Sequence, residues 1–423
     1  MAPRLPLLCS LALLIFSTPM SRAAEPRWWK GNLHTHSLWS DGDDYPDMIA
    51  DWYKERGYHF LAISDHNLLP DAERWSPIAA RRTGDAAFAK YLARFGAPWV
   101  ESREGAKGRE VRLRRLDEYA PRFDEAGRFL LIPAEEITAR VHVNAINLRE
   151  LILPYTGADQ KTSEGVVATL QRVLNTLWDQ RQRTGVPMFA HVNHPNFQWA
   201  VTAEELAQLD HSRFFEVYNG HPTVHNEGDA AHASTDKIWD VVLTLRLGVL
   251  HRDVVYGIGN DDSHQYHEED PTKGAQPGRG WVVVRAAELS ASALVEAMER
   301  GDFYASSGVT LSELQTGADG ISLTIAAEPG VQYTTEFIGT RKGAPLDGEP
   351  VLDEKGQTLR ATRRYSEQVG AILATTHGPT ARYTFKGDEL YVRARVLSSK
   401  PKLHSAIPHE VERAWIQPVR GPK

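Results

Sequence analysis

Cysteine is almost missing from this chain of 423 residues: there is one, Cys9, inside an apolar run near the N-terminus. Past that run, neither disulfides nor thiolate metal sites are available. Long apolar stretches are lacking too. The run Leu5–Phe16 is broken by Pro6, Cys9 and Ser10, and falls short of the roughly 20 residues that span a bilayer. Nor is there a basic block, and the formal net charge is −7. A surface that neutralises the phosphates of a nucleic-acid duplex is therefore not expected. Internal repeats and low-complexity runs are absent. What is present, 42% hydrophobic and 24% charged residues, is the composition of a soluble globular chain with room for a sizeable core.

Residues 1–24 read as a secretory signal peptide. Arg4 supplies the positive start, Leu5–Phe16 the apolar centre, and Ser21-Arg22-Ala23-Ala24 the small residues for cleavage. The expectation is an exported bacterial protein, secreted or periplasmic, with no transmembrane segment after cleavage and no cysteine. Histidine, by contrast, is plentiful at 17 residues. It titrates near neutrality and binds metal as neutral imidazole, so the positions of these residues matter more than their number.

From residue 28 onward, short apolar runs alternate with helical patterns. Trp28–His34, Phe60–Ser64, Phe129–Ile132, Val143–Leu148, Pro187–Ala190, Phe214–Tyr218 and Val254–Ile258 read as strands. Pro46–Arg56, Glu164–Arg183, Ala203–Leu209 and Ser234–Leu247 read as helices. The alternation predicts an α/β fold of parallel β/α units, closed or distorted into a barrel over residues 25–308. Residues 71–125 read as a mostly helical insertion, with Asp85–Phe95 and Leu116–Phe123 as its helices. Residues 309–423 carry β patterns and Gly, Asp and Pro turns, and read as an all-β, sandwich-like domain.

The chemistry sits just past the strands. His34 and His36 end the first, two residues apart on one face of it. Asp41 follows in the turn Ser40-Asp41-Gly42. Asp65-His66 follows the second strand, Glu135-Glu136 the third, and His142 six residues later. His191 and His194 lie just past Pro187–Ala190; Asp261, Asp262 and His264 lie just past Val254–Ile258. The C-terminal ends of buried strands are where β/α folds gather active sites. Adjacent carboxylates there are costly to bury unless a cation neutralises them. An all imidazole-and-carboxylate set points to a multinuclear centre of Zn, Mn or Fe. At this level Glu135 and Glu136, His191 and His194, and Asp261 and Asp262 are each alternatives.

The ordered set His34-Thr-His36, Ser40-Asp41-Gly42, Asp65-His66, Glu136, His142, His194-Pro195 and Asp262-Ser-His264 resembles the PHP family, the polymerase and histidinol phosphatase metallohydrolases. The resemblance covers roughly residues 28–308 and is strongest to a secreted branch that includes carbamate-insecticide hydrolases. It implies a distorted (β/α)7 barrel with two or three divalent ions at the C-terminal rim. It also implies the ligand sets. His34, His36, Glu136 and Asp262 would hold one ion. Glu136, His142 and His194 would hold a second, with Glu136 bridging. Asp41, His66 and His264 would hold a third. The resemblance favours Glu136 because it precedes Ile137-Thr138, His194 because it precedes Pro195, and Asp262 for its spacing to His264.

The activity expected is metal-assisted hydrolysis of a small molecule, most simply a phosphoric ester, with a carboxylester, amide or carbamate as the alternative and a non-catalytic binding protein as the third. Glu136 would bridge the ions that activate water, and Asp262 would protonate the leaving group. Arg140 and Arg279, close in sequence to ligands, would clamp an anion. Asn193, Asn219 and Glu216 would orient ligands. Trp39, Phe197 and Trp199 adjoin ligand positions and suggest an aromatic wall. His221, His225 and His232 read as ordinary polar positions.

Overall fold

The computed structural model describes residues 25–422; the expected signal peptide lies outside the described residues. Strand Arg27–Asn32 pairs in parallel with Phe60–Leu61, which pairs in parallel with Leu130–Leu131. In a second sheet Phe189–Val192, Phe214–Asn219 and Tyr256–Asn260 run parallel in that order. Their residues are buried throughout, as parallel strands covered on both faces require.

The fold is α/β, but the ladders do not close into the expected barrel. They form two separate sheets, which touch at two isolated bridges, Thr35 with Ser263 and His66 with Glu136. Strand direction is mixed as well. Ala134–Thr138 and His142–Ile146 are joined by residues 139–141 alone. A link that short cannot hold the crossover that parallel neighbours need, so the two strands form an antiparallel hairpin. His142–Ile146 is antiparallel to Phe189–Val192 too.

The long helix Ser163–Thr184 shows how sequence sets the packing. Thr162 accepts the Gly165 N–H at its start, and Gly185 takes the left-handed conformation at its end, with φ 68°. Val166, Leu170, Val173, Leu174 and Leu177 form its buried stripe. The insertion contains its two expected helices, Gly84–Phe95 and Leu116–Phe123, but it is not mostly helical. Arg74–Pro77, Gly108–Leu113 and Ser102–Gly105 form a small antiparallel sheet. Val111 and Leu113 alternate inward there, between half-buried Glu110 and Arg112.

Strand Trp281–Ala286 pairs with Arg27–Asn32 on one side and with Phe303–Ser306 on the other. From there the sheet continues through Val411–Arg420, Glu389–Pro401, Tyr333–Arg341 and Ala371–His377. Four of the strands after residue 309 therefore extend the sheet that holds Arg27–Asn32. A three-stranded sheet, Leu311–Gly317, Gly320–Ile325 and Thr380–Thr384, packs over this extension, and Leu314, Leu323, Phe337, Tyr383 and Val392 fill the space between. Among the described residues no helix follows Ala291–Glu299, and no helix is long and apolar enough to cross a membrane.

Candidate metal centre

His34 and His36 leave the end of strand Arg27–Asn32 side by side, both fully buried. Their Nε2 atoms are 3.1 Å apart. His34 Nε2 lies 3.3 Å from Glu136 Oε1 and 3.2 Å from Asp262 Oδ1. His36 Nε2 lies 3.4 Å from Glu136 Oε2 and 3.2 Å from Asp262 Oδ1. Ligand atoms about 2.0–2.1 Å from one ion, at tetrahedral angles, sit about 3.3–3.4 Å from each other. His34, His36 and Asp262 can converge on one ion, and His34, Glu136 and His194 on another.

Glu136 continues the cluster. Its Oε1 is 3.0 Å from His142 Nδ1 and 3.4 Å from His194 Nε2. A third group surrounds Asp41, the most exposed member: Oδ1 lies 3.4 Å from His264 Nε2 and Oδ2 3.5 Å from His66 Nε2. All nine residues expected to bind metal thus lie in one contiguous cluster. Gly42 keeps Asp41 close, because a Cβ there would come within 2.4 Å of the His36 carbonyl oxygen. His194 (φ 22°) and Asp262 (φ 50°) both sit in the left-handed region, strain that persists only where the surroundings fix the backbone.

A surrounding layer sets the rings. His34 Nδ1 donates to Glu216 Oε1 at 2.8 Å, and His264 Nδ1 donates to the Asp262 carbonyl at 2.9 Å. The His66 Nδ1–H meets Thr138 Oγ1 at 2.6 Å, while the Thr138 hydroxyl donates to the Glu136 carbonyl. Each ring thereby keeps Nε2 as the free atom. Glu216 also accepts from the His194 main chain, Asn219 and Asn260. Asn193 donates to Glu136 Oε1 at 2.7 Å and Asn219 to Asp262 Oδ2 at 3.0 Å. Asp65 is no part of the ligand cluster. Its carboxylate accepts from the N–H and hydroxyl of both Ser37 and Ser40, and so holds the turn that carries Asp41.

The alternatives separate by strand face. Glu135 points away from Glu136, as consecutive strand residues must. It accepts the Ile152 N–H, and burial pushes its carboxyl up to about 8. Asp261 accepts from Tyr53 and from the N–H groups of Gly278, Arg279 and Gly280. His191 is buried beneath the cluster with neither ring nitrogen hydrogen-bonded.

Arg279 departs from expectation. Arg279 is buried and spends its guanidinium on main-chain carbonyls, those of His404, Gly220, Gly274, Pro271 and Lys273. No N–H is left to clamp an anion. Arg140 is exposed, on the short link between Glu136 and His142. Trp39 is no wall residue either: it is buried under the insertion and donates to the Arg114 carbonyl. Phe197 does flank the cluster, its ring 5.3 Å from that of His194 and 6.0 Å from that of His142. Trp199 is stacked against His225 and His232. His221, passed over in the sequence, lies beside the centre with its ring 5.4 Å from His264. It follows a strand end just as the ligands do, and that was the available signal.

The electrostatics ask for a cation. Burial alone would raise Glu136 and Asp262, yet the neighbouring imidazoles, His34 foremost, hold both well below the carboxylate range. Burial alone would lower His34, yet Asp262, Glu216 and Glu136 lift it well above its ordinary value. His36 is driven the other way, to about 3, by burial and by His264, and so stays in the neutral form that ligates. Buried His36 Nδ1 has no hydrogen-bond partner, and Glu136 Oε2 meets only imidazoles, His66 Nδ1 at 2.8 Å and His36 Nε2 at 3.4 Å. Convergent imidazoles and carboxylates fit divalent ions, which would take the place of the protons on the rings.

No family model and no curated protein matches the chain. Among solved structures, a two-domain protein from Bacteroides vulgatus containing a predicted PHP-like metal-dependent phosphoesterase aligns with it. The alignment covers 93% of this chain and 95% of that one, at 16% identity and a TM-score of 0.39. A candidate metal-dependent phosphoesterase from Bifidobacterium adolescentis aligns over 58% of this chain and 91% of its own, at 12% identity and a TM-score of 0.26.

Proposed function

We propose that the protein is a metal-dependent hydrolase of the PHP type, exported to the periplasm or medium, acting on a small phosphoric ester. The observation that carries this reading is the Nε2 and carboxylate spacing of 3.1–3.4 Å among His34, His36, Glu136 and Asp262. His142 and His194 would complete a second ion site against Glu136, and Asp41, His66 and His264 a third. Divalent ions bound there, Zn, Mn or Fe, supply Lewis acidity that activates water and draws charge from a substrate oxygen.

The chain's own residues preorganise the site. Glu216 fixes the His34 ring, Asn193 fixes the Glu136 carboxylate, and Asn219 fixes that of Asp262. Asp262 would ligate an ion through this carboxylate. Phe197 walls the His142 side.

A second reading, hydrolysis of a carboxylester or carbamate, is favoured by one observation: Arg279 is tied to carbonyls and cannot grip a phosphate. Metal-reconstituted protein assayed on nitrophenyl phosphate, bis-nitrophenyl phosphate, nitrophenyl acetate and an aryl carbamate separates the two. Turnover of the phosphates is expected. Turnover of the acetate or carbamate alone selects the second reading, and no turnover of any of them overturns the enzyme assignment. Activity that survives Glu136→Ala and His34→Ala overturns the site.

A further inference from the structure

A cavity of about 390 Å³ opens at the opposite end of the strands from the metal centre. Phe189 and Phe214, which contribute to it, begin the strands that lead toward His194 and Asn219. Its floor is apolar, formed by Leu174, Leu177, Met188, Phe189 and Phe214. Its walls carry Arg181, Arg213, Arg246 and Arg252, together with Asp210, Asp253 and Glu299. The volume lies within the range of small-molecule sites, and an apolar floor with a few convergent polar groups is their usual form.

The arginines are unequally compensated. Arg181 is paired with Glu299 through two nitrogens, and Arg252 with Asp210 at 3.1 Å. Arg246 donates only to the main-chain carbonyls of Asp253, Ala207 and Leu209. Arg213 donates to the Glu299 carbonyl and the Tyr256 hydroxyl, and its buried Nε–H has no partner. Two guanidiniums therefore line the cavity with no carboxylate in contact. Arg246 is driven down to about 10 by burial and by the nearby charge of Arg252. At the rim Trp178 stacks on His211, with ring centroids 4.4 Å apart and planes 14° from parallel. His211 (φ 58°) and His251 (φ 52°), both lining residues, are held in the left-handed region.

We propose that this cavity is a second small-molecule site, which takes an organic anion with a flat apolar body. The body lies on the floor between Leu174, Leu177 and Phe214, with Trp178 at the mouth. The anionic head meets the guanidiniums of Arg213 and Arg246, which no carboxylate of the chain contacts. The site is independent of the hydrolytic reading, because it shares no residue with the metal centre.

The test is calorimetric titration of the chelator-treated protein with 2-naphthoate, and with neutral 2-naphthamide of the same shape. One naphthoate should bind per chain with a Kd below about 1 mM, and the amide at least tenfold more weakly. Glu136→Gln should leave naphthoate binding unchanged. Arg213→Gln should weaken it tenfold or more, and Trp178→Ala, a rim change that leaves the core untouched, should weaken it severalfold. Equal binding of acid and amide, loss of binding in Glu136→Gln, retention in both Arg213→Gln and Trp178→Ala, or no binding at millimolar naphthoate overturns the proposal.

Discussion

His34 and Glu216 are joined by a buried hydrogen bond of 2.8 Å, from the ring Nδ1–H to carboxylate Oε1. Glu216 binds nothing in the candidate ion sites itself, yet it decides which ring nitrogen of His34 faces them. Through its other oxygen it holds the His194 main chain and Asn219. One carboxylate thus aligns residues of two proposed ion sites.

Glu216→Ala is expected to lower metal affinity by about 10–100-fold, the usual cost of losing a partner that orients a ligand. Metal titration with a competing chelator measures it, with circular dichroism to check folding. A folded variant of unchanged affinity removes Glu216 from this role.

Metal content should fall in parts. His142→Ala is expected to lose one ion per chain while the His34, His36 and Asp262 group keeps its own. Asp41→Ala is expected to lose a different ion. Elemental analysis of reconstituted protein reads the stoichiometry directly. Loading should also raise thermal stability, by about 2.7 kcal/mol for each site at a free ion concentration 100 times its Kd. Equal loss from His194→Ala and His191→Ala would contradict the separation of these two histidines.

Much of the centre was legible in the sequence because burial makes charge expensive. His34, Glu136, His194 and Asp262 follow apolar strands, where uncompensated carboxylates are not tolerated without a cation. Arg279 was misread for an equally physical reason. Closeness in sequence to Asp262 says nothing about where a seven-atom side chain ends, and here it turns into a nest of carbonyls. The barrel was overread because a strand pattern carries no direction: only the short link 139–141 reveals that Ala134–Thr138 and His142–Ile146 are antiparallel. The insertion's sheet was missed because Arg and Glu flank Val111 and Leu113, and charged alternation resembles an exposed helix. The inward step of two residues was the signal.

Asp47 supplies a pH dependence remote from the centre. Burial raises its carboxyl to about 6, against the hydrogen bonds from Tyr91 and Trp99. The folded state therefore holds this proton more tightly than the unfolded chain does. The stability contributed is fully present below pH 3.8 and is lost as pH rises through about 6. Asp47→Asn, which mimics the protonated group, should flatten the fall in Tm across this window by the equivalent of a few kcal/mol. Thermal scans at fixed ionic strength measure it, and an unchanged slope contradicts the reading.

Arg279 offers the sharpest contrast between the two roles an arginine can play beside a metal site. If it gripped substrate, Arg279→Lys would keep the charge, leave the fold intact and raise KM. Bonded as it is to five carbonyls, it should behave as a brace. Lysine has three donors on a flexible stem and cannot reproduce the planar fork, so buried carbonyls lose their partners at about 1–3 kcal/mol apiece. Arg279→Lys and Arg279→Met should therefore both lower Tm sharply. Exposed Arg140→Met should leave Tm unchanged. Any Arg279 variant that still folds should show reduced kcat through displacement of Asp261 and Asp262, since the brace positions the Arg279 main-chain N–H, which donates to Asp261 at 2.6 Å, with KM little altered. A stable Arg279→Lys enzyme whose only defect is KM would restore the clamp.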